Sequence, residues 1–124
     1  MYTEEQLNKF RDIISGSKRA VFFGGAGVST ESGIPDFRSQ DGLYRQKYAY
    51  PPEYILSATF FRTHTAEFFD FYRDKMVYPS ARPNAAHIKL AQWEREGRLA
   101  AVITQNIDGL HQKAGSKTVL ELHG

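Results

Sequence analysis

The chain has 124 residues, a formal charge of +2 and 41% hydrophobic positions, enough for one compact domain and no more. A charge so nearly balanced excludes the strong positive field of a nucleic-acid binder, and no apolar run approaches the roughly 18 residues of a membrane span. With no cysteine, neither disulfides nor a Cys-type zinc site can form within these residues. Met1 to Glu5 lacks the basic and apolar regions of a signal peptide. The expectation is a cytoplasmic protein that meets neither nucleic acid nor membrane.

Thr3 and Gln6 form a capping box for a first helix through Ile14, with Leu7, Phe10, Ile13 and Ile14 on one face before Gly16. A strand follows over Arg19 to Phe23, apolar on both faces, and then a long loop from Gly24 to Pro52 with one short helix. Aromatic residues from Phe60 to Tyr72 recur at mixed helical spacing, predicting two short helices between Glu53 and Met76, broken near Thr63 to Thr65. Asn84 caps a helix through Glu96 that turns Ala85, Ile88, Ala91 and either Leu90 or Trp93 inward, with Gly97 just past its end. The second strand is Leu99 to Thr104, the next helix Gly109 to Ala114, and the third strand Thr118 to Leu122. Strands alternating with helices predict a parallel α/β sheet.

The first strand runs into Gly24-Gly25-Ala26-Gly27-Val28-Ser29-Thr30, a turn whose backbone N–H groups can approach a phosphate closely. Gly25 and Gly27 match the first two glycines of a dinucleotide fingerprint, but Thr30 stands where the third belongs, and no acidic residue occupies an obvious ribose position. The continuation Gly33-Ile34-Pro35-Asp36-Phe37-Arg38 sets a carboxylate, a ring and a guanidinium on one stiff loop. Gly25, Gln105 and His123 all fall at carboxyl ends of strands, where ligands bind in sheets of this kind. His64, His87 and His111 lack helical metal-ligand spacing and read as structural, so no metal ligand is expected.

Three motifs, Gly25 to Ser39, Thr104 to His111 and Leu122 to Gly124, together resemble the amino-terminal half of a bacterial sirtuin, an NAD-dependent protein deacylase. The resemblance implies a partial Rossmann-like, three-layer NAD-binding domain over 1–124, holding its first three strands, with residues 40–80 contributing to a small helical module. Sirtuins usually carry a four-cysteine zinc module just beyond the His-Gly at which this sequence ends. A truncated chain without structural zinc is therefore expected, weak or inactive alone and prone to self-association at the uncovered edge of the first strand.

The implied activity transfers acetyl from lysine to ADP-ribose, releasing nicotinamide and O-acetyl-ADP-ribose, with an acetylated-lysine protein or peptide as partner. On that resemblance Gly25, Ala26, Gly27, Ser29, Thr30, Asp36, Phe37, Arg38, Gln105, Asn106, Ile107, Asp108 and His123 bind NAD. Asp108 would accept from the nicotinamide carboxamide, Phe37 shield the reacting face and Arg38 meet the diphosphate. His123, Asn106 and Asp108 form the catalytic set, with His123 as base toward a ribose hydroxyl. Phe69 and Tyr72 occupy the places where desuccinylating relatives resemble one another in a Tyr-x-x-Arg pair, and Arg73 is one step out, which favours acetyl. The alternatives are a non-catalytic NAD-binding module and half of an NAD oxidoreductase; the missing ribose acid counts against the latter.

Overall fold

The structure, a computed structural model, describes residues 2–124. Helix α1, Glu4–Gly16, opens on the expected capping box, with Thr3 and Gln6 each accepting the other's backbone N–H. It runs two residues beyond Ile14, where Ser17 turns back to the Ile13 and Ile14 carbonyls. Leu7, Phe10 and Ile13 of its apolar stripe are at least half exposed, Ile14 is half-buried, and no α1 residue is fully buried.

Strand β1 is Ala20–Gly24, one residue later than predicted. The long loop contains two 3₁₀ turns, Ala26–Ser32 and Leu43–Arg45, rather than one short helix. It is pinned on itself, since Leu43 and Tyr44 donate backbone N–H to the carbonyls of Asp36 and Phe37 at 2.8 and 2.9 Å. A Cβ on Gly42 would stand 2.7 Å from the Phe37 carbonyl carbon, so only glycine allows that approach.

The aromatic segment forms three helices instead of two: α2 Pro52–Ile55, α3 Ala58–Thr63 and α4 Thr65–Lys75. The break falls at His64, inside the expected window, and Pro52 starts the additional helix, its fixed φ suiting a first turn. Ile55, Phe60 and Phe71 are their buried core, flanked by Tyr48, Leu56, Phe68 and Met76.

Helix α5, Ala85–Arg95, has Asn84 as its N-cap. The inward set differs from expectation: His87, Leu90 and Ala91 are buried, whereas Ala85 and Ile88 face solvent. The cap sets this phase. Asn84 Oδ1 accepts from Ala86 and His87, and the Asn84 N–H donates to His87 Nδ1, which draws His87 inward. Near the other end Glu94 accepts the backbone N–H groups of Lys117 and Thr118, both at 2.7 Å, tying α5 to the third strand.

β2, Leu99–Thr104, pairs in parallel with β1 on one side and with β3, Val119–Glu121, on the other. Between them α6, Leu110–Ala114, starts from a left-handed Gly109 and stops at a left-handed Gly115. The β1–β2 register slips after Ala20, leaving Ala100 unopposed. This bulge puts Leu99 and Val102 on the same side although they are three residues apart. They join Leu90 in the core on the α5 side, with Phe22, Trp93 and Val119 around them. On the opposite face Val21, Phe23 and Leu120 are each more than half exposed.

The strand ends are level. Gly24 lies beside Thr104, and Thr104 beside Glu121; Gln105 donates to the Gly24 carbonyl, and Leu122 to the Thr104 carbonyl. The three motif-bearing segments therefore leave the sheet at one rim.

Fully buried Phe60 and exposed Phe10 give a direct contrast. Phe60→Ala is expected to lower unfolding free energy by about 3–5 kcal/mol, and Phe10→Ala to change it by about 0.5 kcal/mol or less. Urea denaturation of the two variants checks this; equal losses would contradict the packing described.

Candidate functional site

At the rim the glycine turn is shaped by its neighbours. Gly25 is extended, and a Cβ there would come to 3.0 Å from Gln105 Oε1. Gly27 looks into open space. Thr104 Oγ1 accepts the Asn106 N–H and turns the chain after β2, and Asp108 Oδ1 accepts the Leu110 N–H and starts α6.

Ser29 joins the two segments. Its buried hydroxyl donates to Asp108 Oδ2 at 2.7 Å and accepts from Asn106 Nδ2 at 3.1 Å, while His87 Nε2 stands 3.5 Å away. A serine hydroxyl has one proton and two lone pairs, and its proton goes to Asp108, so Nε2 of His87 must be the donor. His87 Nδ1 independently requires the same tautomer, because it accepts the Asn84 N–H. Asn84 Nδ2 also donates to the Val28 carbonyl at 2.8 Å, tying the head of α5 to the glycine turn.

Burial pushes the His87 pKa below its ordinary value, partly opposed by the Asp108 charge. His111 packs against His87 at 4.7 Å between ring centroids and against Phe22 at 5.7 Å, with both ring nitrogens buried and unpartnered. Its pKa is lowered by burial first and then by His87. Two imidazoles expected to be unrelated structural residues thus form a pair behind the site.

Two adjoining clefts open at the rim. The larger, about 640 Å³, is polar and lies among Ala26, Gly27, Asp36, Phe37, Arg38, Gln105, Asn106 and His123. The narrower, about 280 Å³, is mostly apolar and runs past Ile34, Pro35, Leu43, Met76 and Tyr78 to Ser29, Asn106, Ile107 and Asp108. Ala26, Phe37, Gln105, Asn106 and His123 border both.

Most of the predicted site residues therefore meet, including the exposed His123. Gly25 lies behind the lining and makes room for Gln105. Thr30 is outside both clefts, its hydroxyl donating to the Gly27 carbonyl at 3.0 Å. Asp36 holds the loop, with Oδ1 accepting the Ser39 N–H, and bonds to Ser39 keep its pKa below the usual value. The Arg38 guanidinium lies 5.7 Å above the Tyr44 ring, and Phe37 packs on the same ring.

The sequence reading missed His87 and the reach of Asn84. The available signal was the N3 position of His87 behind an Asn cap, which turns an imidazole back toward the preceding loop. Leu56, Lys75, Met76 and Tyr78, at the ends of α2 and α4, also line the apolar cleft. Among the described residues no cluster of three or more His, Asp or Glu could hold a metal ion, and the sequence has no cysteine for a zinc module.

The profile of the Sir2 family matches residues 25–124. The NAD-dependent protein deacetylase of Clostridium acetobutylicum is 60% identical over 122 residues, covering 97% of this chain and 50% of that protein. That of Clostridium tetani is 61% identical over 116 residues, covering 92% and 47%. A solved chain described under "Structural Basis for the Mechanism and Regulation of Sir2 Enzymes" superposes with a TM-score of 0.89 at 48% identity, covering 98% of this chain and 47% of its own. Another, described as "Sir2-p53 peptide-NAD+", has a TM-score of 0.78 at 45% identity and covers 100% and 46%. The chain spans about half the length of the relatives it matches, and three parallel strands with helices make it a partial Rossmann-like domain. On profile, identity and backbone alike, this chain belongs to the Sir2 family.

Proposed function

We propose that this chain carries the NAD-binding part of an NAD-dependent protein lysine deacetylase site, with residues 40–80 contributing the small helical module. The observation that carries the reading is the meeting of the glycine turn, Asn106, Asp108 and His123 on two contiguous clefts. The donor set fits the cofactor: open space at Gly27 and the Arg38 cation suit a diphosphate, and the uncharged amides of Gln105 and Asn106 suit ribose hydroxyls. NAD, when bound, would supply a ribose whose bond to nicotinamide can be broken and whose hydroxyl can accept the acetyl group.

Asp108 binds and orients. Its carboxylate has about four lone-pair sites. Ser29, Asn106 and Leu110 use three of them, leaving one for a carboxamide N–H on the cleft side. Ile107 lies beside it, and Ile34, Pro35 and Phe37 keep water from that end. His123 has no hydrogen-bond partner among the described residues and borders both clefts, a position from which its imidazole nitrogen would take a proton from a ribose hydroxyl. An acetyl rather than succinyl substrate is supported by the wall of the apolar cleft, which includes neither Phe69, Tyr72 nor Arg73. Lys75, a cation on the same wall, stands 2.9 Å from Asp74.

An acetylated-lysine protein as substrate belongs to the same proposal, supported by a Sir2 relative described as bound to acetylated peptide. A cytoplasmic location does too; the structure adds only that no helix among the described residues is long and apolar enough to cross a membrane. A second reading, cofactor binding without turnover by these residues alone, is favoured by the bare sheet face at Val21, Phe23 and Leu120. That face and the free edge of β1 are proposed to drive self-association of the isolated chain.

The test uses this chain and a fusion of it to the remaining half of the Clostridium acetobutylicum relative, scoring NAD affinity and nicotinamide release with an acetyl-lysine peptide. Asp108→Asn is expected to weaken NAD binding roughly tenfold or more, the cost of one charged hydrogen bond. His123→Ala should abolish sustained deacetylation of the peptide in the fusion, and turnover by His123→Ala at the parent rate would overturn its assignment. In sedimentation velocity the isolated chain is expected to self-associate and Phe23→Lys to shift it toward monomer. A monomeric parent would remove the proposed interface.

A further inference from the structure

The small helical module has a second hollow, of about 440 Å³, away from the rim. Ile55, Phe60 and Phe71 form its floor, and Tyr48 and Tyr50 stand edge-on to Phe71 and Phe60 at 5.0 and 5.2 Å between ring centroids. One wall is α4, which presents Glu67, Asp70 and Asp74 at i, i+3 and i+7. This spacing lines all three carboxylates along a single helix face.

Among the described residues no lysine or arginine lines the hollow. The charge is local, because the chain as a whole carries +2. Two of the carboxylates have neighbouring cations on α4: Arg73 meets Asp70 at 2.6 Å and Lys75 meets Asp74 at 2.9 Å. Both acidic partners are well exposed, and surface pairs of this kind are worth about 0–1 kcal/mol, so an incoming cation can exchange for them. Glu67 makes no ion pair among the described residues.

An apolar, aromatic floor beside a row of carboxylates complements one kind of side chain. A long aliphatic stem lies on the rings, and its terminal cation meets ring faces and carboxylate oxygens together. Arginine and lysine have that form, and arginine adds planar stacking on tyrosine. A free anion or an uncharged apolar peptide does not match the wall.

We infer that this groove is an exosite for an arginine- or lysine-bearing polypeptide segment, the basic flank of the protein substrate. That the segment is a substrate flank rests on the deacetylase reading; the groove's preference for a basic segment does not. Position supports the link, because Asp74 borders the groove and the next residue, Lys75, lines the apolar cleft. A chain threaded past Met76 into that cleft would bring its neighbouring residues within reach of the α4 wall.

The test is fluorescence anisotropy with a labelled arginine-rich peptide that contains no acetyl-lysine, and a control peptide of equal length with glutamine for arginine. The parent is expected to bind the basic peptide and not the control, more weakly as salt rises. The exposed triple variant Glu67→Gln, Asp70→Asn, Asp74→Asn should weaken binding roughly tenfold. Tyr50→Ala should weaken it roughly threefold. Arg73→Gln with Lys75→Gln, which frees Asp70 and Asp74, should strengthen it. NAD affinity, measured on the same samples, is expected to be unchanged in the triple variant. Equal binding of the two peptides, or a triple variant that binds like the parent, would overturn the exosite. Loss of NAD binding in the parent with basic-peptide binding intact would instead count against the deacetylase reading alone.

Discussion

The bond from Ser29 to Asp108 is the joint on which the site depends. Ser29 belongs to the glycine turn after β1, and Asp108 to the loop after β2. A hydrogen bond to a carboxylate is worth about 1.5–3 kcal/mol, and here it also decides where the remaining groups point. Asn106 adds a donor to each member of the pair, and His87 closes the set from α5. Asp108 is thereby held in the wall of the apolar cleft, and among the described residues it forms no ion pair. An exposed carboxylate on a mobile loop would face water from every side and orient a ligand poorly.

The sheet register supplies the frame for that joint. Level strand ends bring Gly25, Gln105 and His123 to one rim, and the bulge at Ala100 turns both Leu99 and Val102 into the core beneath it. The arrangement is finished on one side only. The α5 face is packed, while Val21, Phe23 and Leu120 stand in water, as do Leu7, Phe10 and Ile13 of α1. The site geometry thus rests on a sheet packed on its α5 face and bare on the other.

Much of this could be read from residue order. The caps at Thr3 and Asn84, the stop at Gly115 and all three strands follow from local chemistry, with ends displaced by one residue or two. Side-chain direction was harder. The inward face of α5 depends on how Asn84 and His87 bond each other, and simple periodicity favoured Ile88 instead. His87 looked like an ordinary core histidine because its partners, Ser29 and Asp108, lie far from it along the chain. The role of Asp36 in its own loop was likewise hidden, since its bond to Ser39 emerges only once Gly42 lets the loop close. Aromatic density between Phe60 and Tyr72 marked a core correctly, but not the additional turn begun by Pro52 or the hollow left beside α4.

The most direct measurement is the histidine NMR spectrum of the chain across pH, with His87 assigned by substitution. Two separate constraints, the Asn84 N–H on Nδ1 and the Ser29 proton committed to Asp108, require a neutral ring protonated at Nε2. Its folded pKa lies below the ordinary 6.5. The stability linked to it is therefore complete above that value and is lost as pH falls through the folded pKa. The account expects the Nε2–H tautomer, titrating below free histidine and retained in Ser29→Ala, where the Asn84 N–H still occupies Nδ1. A His87 protonated at Nδ1, or titrating at or above the free value, would contradict the joint on which the site is built.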